Sequence, residues 1–245
     1  MTTLLQVAGA LYAASLVAAL LRSRHARSLL GAGVIAHLAC TMWRGLAIDF
    51  FPLTNKMESF SAAALCTAVI AFDLWRPARA FVGTVFIVLG AEMIAALMLP
   101  QGLAYPPPLM RTIWYPLHVP LSFLSYALWT IAAADAVAWA HDRDPAWIAR
   151  LDRAALGGFA LWSLAMICGG VWGVVAWGAY FMWDPKIVWS VILWFHYATF
   201  VHVHLTPSLH GRPWVRPLLA GVGLVLVFIA YVGTSFLFGR SSHAF

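Results

Sequence analysis

Charge is what this sequence has least of. Only 10% of its 245 residues are Asp, Glu, Lys or Arg, 63% are hydrophobic, and mean hydropathy is +0.84. Water-soluble domains carry roughly 25% charged residues, so that class is excluded. Cysteine is scarce too. Cys40, Cys66 and Cys168 fall in apolar runs without a C-x-x-C pair, which excludes a disulfide framework and a thiolate metal site and leaves them as small buried residues. A basic stripe is also missing: the net charge is +6, but most arginines are spread over four short loops, so no nucleic-acid surface is implied. Nothing basic precedes the first apolar run, and Arg22, Arg24 and Arg27 follow it. It therefore reads as a transmembrane helix rather than a signal peptide.

What is present is a series of long apolar runs. A helix needs roughly 20 mostly apolar residues to cross a hydrocarbon core of about 30 Å. Eight segments qualify, near 4–21, 29–48, 58–75, 80–99, 116–139, 155–176, 187–205 and 216–238. The short connections leave no room for a soluble domain, so residues 1–245 read as one all-α domain, a polytopic membrane bundle. Cytoplasmic loops are enriched in Lys and Arg. Alternate loops hold Arg22, Arg24 and Arg27; Arg76 and Arg79; Arg143, Arg150 and Arg153; and Arg212 and Arg216. That pattern, with an even helix count, puts both termini outside. Arg44, Lys56, Arg111, Lys186 and Arg240 remain on the outer side.

Ionisable residues in or beside a membrane are costly and each is a functional hypothesis. His25, His141 and His210 stand among loop arginines and read as solvated. His118, in PLHVPLSF, opens the fifth segment at the outer surface, and His243, in RSSHAF, follows the eighth. Both flank AWGAYFMWDPK at residues 176–186, an aromatic loop on the same side. Two neutral imidazoles from separate helices suit the axial positions of a haem iron. At 1.5 Å per residue His202 lies roughly 22 Å below the outer surface and His37 roughly 12 Å above the inner one, a possible second bis-histidine site. His196 is turned about 240° from His202 and reads as a hydrogen-bonded packing residue. His204 reads as a snorkelling residue at the inner interface.

The run WGAYFMWDPK at 177–186 resembles the WWD signature of the haem-handling cytochrome c assembly proteins, in the CcsA (ResC) branch of System II. PLTNKMES at 52–59, WYPLHVPLSFLSY at 114–126 and the closing GRSSHAF resemble further blocks of that family. The resemblance runs from about residue 37 onward. It implies that Trp177, Gly178, Tyr180, Trp183 and Asp184 cradle a haem b edge at the outer face of a bacterial inner membrane, with His118 and His243 on its iron. Asp184 is expected to pair with Lys186 or to orient a propionate partner such as Arg111 or Arg240. His202 matches the family's membrane histidine, whose partner there comes from a CcsB-like subunit; His37 is the substitute within this chain.

The implied function is delivery of haem to the outer face for attachment to apocytochrome c, as a component of a cytochrome c synthase, with no residue acting as general acid or base. Phe181 replaces a motif tryptophan, Ile187 and Val188 replace Glu-Thr, Val174 and Val175 stand where Asn-Glu is common, and Met57 replaces Tyr. These losses of polar groups motivate an alternative: a haem b electron-transfer subunit of a respiratory complex, linked to quinol and to multihaem cytochrome or iron-sulfur subunits. A haem-free transporter also fits the helix count, but leaves the paired external histidines idle.

Overall fold

The computed structural model describes residues 2–209 and 211–236. Eight principal helices account for most of them: α1 Thr2–Leu20, α2 Ala26–Ile48, α3 Lys56–Asp73, α4 Arg79–Met98, α5 Trp114–Asp142, α6 Pro145–Trp177, α7 Pro185–Leu205 and α8 Val215–Phe228. The last continues through a π-turn, Ile229–Gly233, into Thr234–Phe236. Among the described residues there is no strand. Among the described residues seven helices are long and apolar enough to cross a membrane, and many large apolar side chains face outward, including Leu46, Ile87, Met98 and Ile167. Such a surface is stable when lipid is the solvent. The chain is a polytopic helical membrane protein. The segment expected at 58–75 is α3, an 18-residue helix carrying Lys56, Glu58 and Asp73, which is not among the seven.

The chain divides into two compact units, Met1–Arg111 and Thr112–Phe245. In the first, α1 packs on α2 and α4, while α3 packs on α2 and α4. His37 sits fully buried at its centre, with Nδ1 3.2 Å from the Tyr12 hydroxyl and Nε2 2.7 Å from the Ser61 hydroxyl. Gly33 makes room for this, since a Cβ there would lie 2.6 Å from the Tyr12 ring. Both imidazole nitrogens are engaged, so His37 bridges three helices, and an iron at this residue would displace one of those bonds.

One end of the same unit is fastened by a buried ion pair. Arg44 Nε donates to Glu58 Oε1 at 2.9 Å. The Thr54 backbone N–H and hydroxyl both donate to Glu58 Oε2. The remaining Arg44 donors reach the carbonyls of Gln101 and Gly102, and Thr54 Oγ1 reaches that of Ala104. Asn55 caps α3 by accepting from Glu58 N. The PLTNKMES block is therefore a helix cap with an ion pair built into it, Glu58 reaching back past the Asn55 cap to Thr54, and it ties down the segment after α4. Arg44, near the end of α2, is 4% exposed.

In the second unit α5 packs on α6 and α8, and α7 packs on both. α6 begins ten residues earlier than expected and, at 33 residues, is about 50 Å long. The cause is local: Asp144 accepts the Ala146 N–H and Pro145 fills the first position, the preferred chemistry of a helix start. Arg150 and Arg153 are consequently helical rather than in a loop, and Arg150 pairs with the buried Asp135 at 3.2 Å. Arg216, on α8, binds Asp152, and His204 Nδ1 lies 3.4 Å from the same carboxylate. His204 is thus part of a three-helix polar cluster, not a snorkelling residue. His196 Nε2 donates to the Leu219 carbonyl, 2.9 Å away, in the packing role expected of it.

Candidate functional site

The aromatic loop lies where α6 stops and α7 starts, and its polar residues are there for that reason. Gly178 closes α6 with φ of 74°, a left-handed conformation that glycine adopts without a Cβ penalty, and its N–H bonds the Val174 carbonyl. Asp184 opens α7: its Oδ1 accepts from Lys186 N at 2.9 Å, and Pro185 takes the first helical position. The Gly-to-Asp-Pro spacing is therefore the punctuation of a short chain reversal. Gly173 lets the loop fold back, since a Cβ there would lie 2.9 Å from the Ala179 carbonyl oxygen.

With both ends capped, the aromatics between them point away from the core. Tyr180 is 73% exposed and Trp183 88% exposed, with Phe181 edge-on to Trp183 at 5.3 Å. Behind this shelf lies a buried wall. Trp172 is 2% exposed and touches Trp177, 4.8 Å between centroids, and Tyr115, 5.0 Å.

His118 enters from the first turns of α5 and lies nearly parallel to Trp172, at 6.3 Å and 23°. Its Nδ1 is 2.7 Å from the carbonyl oxygen of Ala165 on α6. A carbonyl only accepts, so Nδ1 carries the proton and the Nε2 lone pair is left over, the arrangement found in metal-binding histidines. Among the described residues no hydrogen bond is recorded for Nε2. This one described imidazole nitrogen suits a haem iron as a single ligand, and the aromatic wall and shelf suit a flat apolar macrocycle.

His202 is exposed on α7, roughly 25 Å along that helix from Pro185. Arg111 belongs to the first unit, where its Nε reaches the Pro106 carbonyl at 3.5 Å. His243 and Arg240 lie outside the described residues, as does His210. Sequence reasoning missed Ala165, Gly169, Trp172 and Tyr115. A backbone acceptor leaves no sequence signal, but a Gly-Gly pair inside a helix, at 169–170, is one.

The model of the family described as "Cytochrome C assembly protein" matches residues 23–240. The chain belongs to the cytochrome c assembly protein family. It is 28% identical over 258 residues to the cytochrome c biogenesis protein CcsA of Guillardia theta, covering 88% of this chain and 84% of that one. It is 26% identical to the CcsA of Crocosphaera subtropica, covering 82% of each chain, and 47% identical over 81 residues to that of Gloeobacter violaceus. Among solved structures, "Cytochrome c Heme Lyase CcmF" superposes with a TM-score of 0.70 over 98% of this chain at 19% identity. This likeness is one of fold. The chain spans 46% of the CcmF chain.

Proposed function

We propose that this member of the family binds haem b at the outer face of a bacterial inner membrane and presents it for attachment to apocytochrome c, alongside a CcsB-like partner. The observation that carries the reading is His118, whose Nδ1 is committed to a backbone carbonyl beside an exposed aromatic shelf. His118 Nε2 would hold the iron with His243, while Trp177, Tyr180 and Trp183 would cover the macrocycle. Bound haem supplies the vinyl carbons to which the CxxCH thiols of an apocytochrome add. The chain's own contribution is orientation, holding one edge outward for the incoming thiols. Gly178 and Asp184 serve by fixing the loop's ends. The exposed His202 would contribute to a second haem completed from outside the α5–α8 unit.

A reduced-minus-oxidised spectrum of the purified protein tests the reading. A b-type signal is expected, lost or shifted in His118→Ala. No signal in the wild type, or an unaltered signal in the variant, overturns it. Deleting the gene should then lower all c-type cytochromes together. The alternative reading, a haem b electron-transfer subunit joined to multihaem cytochrome or iron-sulfur partners, is favoured by the apolar Phe181, Ile187 and Val188 around the loop. It expects loss of one respiratory activity with other cytochromes intact.

A further inference from the structure

A helical glycine costs roughly 1 kcal/mol relative to alanine, so one in the middle of a long helix calls for a steric reason. For Gly169 the reason is His118. A Cβ at 169 would lie 2.7 Å from both Nδ1 and Cε1 of the His118 ring and 3.3 Å from its Cγ, closer than real Cβ contacts occur. The ring therefore lies directly on the α6 backbone. Ala165 is one helical turn before Gly169 and Trp172 almost one turn after it, so acceptor, gap and aromatic wall follow one another on one face of α6. These three contacts fix different properties of the same ring. The Ala165 carbonyl fixes which nitrogen holds the proton, the bare Gly169 backbone sets how close the ring approaches, and Trp172 limits its tilt.

We propose that Gly169 is a positioning residue of the haem site, a seat that lets His118 keep its bond to Ala165 and so aim Nε2 at the iron. This rests on the reading of His118 as a ligand. A side chain at 169 pushes the imidazole off α6. That lengthens the Nδ1 bond, weakens the ring as a ligand and turns Nε2 away from its target. Loss of such an outer partner costs about 10- to 100-fold in metal affinity.

The test is transfer of haem from the purified full chain to excess apomyoglobin, compared among Gly169→Ala, His118→Ala and Gly158→Ala. Gly158 is the control because it lies on the same helix against the same neighbour, eleven residues or roughly 16 Å before Gly169, where a Cβ would press on the Trp129 indole rather than on His118. Gly169→Ala is expected to release haem about 10-fold faster or more, His118→Ala at least as fast, and Gly158→Ala at the wild-type rate. If His118→Ala speeds release and Gly169→Ala does not, the seat is refuted and the ligand stands. If His118→Ala has no effect, both fall. Equal acceleration by the two glycine variants also overturns the seat, because general loosening of α5 and α6 then explains it. Should Gly169→Ala not be recovered from membranes, Trp172→Phe replaces it. That variant keeps an aromatic ring but narrows the wall, and faster release is expected; an unchanged rate counts against the seat.

Discussion

The indole of Trp129 and the phenol of Tyr197 lie face to face, with centroids 3.7 Å apart and planes 2° from parallel. Trp129 projects from α5 and Tyr197 from α7. The pair is clamped by two glycines: a Cβ at Gly158 would strike the indole, and one at Gly223 would lie very close to the Tyr197 hydroxyl. Gly223→Ala is expected to lower stability by about 1–3 kcal/mol through overpacking, seen as a lower unfolding temperature in detergent.

The Tyr197 hydroxyl is buried and makes no hydrogen bond among the described residues. An unsatisfied buried hydroxyl is unfavourable by about 1–3 kcal/mol. Tyr197→Phe is therefore expected to leave thermal stability unchanged or raise it. A clear loss would show that the hydroxyl has a partner in the membrane.

Arg44 and Glu58 are 5% and 1% exposed at their side chains, and their remaining donors and acceptors are used by Thr54 and by backbone carbonyls. Breaking a buried pair by removing one member costs about 3–5 kcal/mol. Glu58→Ala should lose that much in detergent unfolding. Asn55→Ala, which removes only the cap, should lose about 1 kcal/mol.

Within the loop, stability and function should separate. Gly178→Ala forces a side chain into the left-handed region at about 1–2 kcal/mol, and Asp184→Ala removes a cap at about 0.5–2 kcal/mol. Trp183→Ala touches an 88% exposed side chain, so membrane abundance and unfolding temperature should hold while c-type cytochrome content falls. Unchanged cytochromes would remove Trp183 from the site.

His196 and His202 make a matched pair for the same question. His196→Ala forfeits the bond to the Leu219 carbonyl, with an expected loss of about 1 kcal/mol. His202→Ala alters an exposed side chain, so unfolding should be unaffected, and any change in haem content reports ligation.

Composition and the length of the apolar runs disclosed the membrane bundle because lipid as a solvent leaves few alternatives to long apolar helices. The WGAYFMWDPK block disclosed the loop's position, since glycine and Asp-Pro are also the chemistry of helix ends. The same Asp-Pro signal at 144–145 started α6 earlier than hydropathy suggested: helix boundaries follow caps, whereas hydropathy sees only the apolar stretch. The Arg44–Glu58 and His204–Asp152 contacts left no signal in the sequence because tertiary packing brings those partners together. The bond from His118 to Ala165 was illegible for a different reason, as any residue supplies a carbonyl.

α6 runs without a break from its Asp144 cap to its Gly178 cap, and it has consequences for how the gene can change. Ala165, Gly169 and Trp172 are in phase with His118, and the loop hangs from the last turn of the same rod. One residue inserted between Trp172 and Gly178 would swing the loop by about 100° around the helix axis, while the seat stayed put. Insertions and deletions should therefore be selected against along this stretch and better tolerated between α4 and α5 after Ala104, past the carbonyls that Arg44 and Thr54 hold, where extra length leaves the phase of every helix untouched.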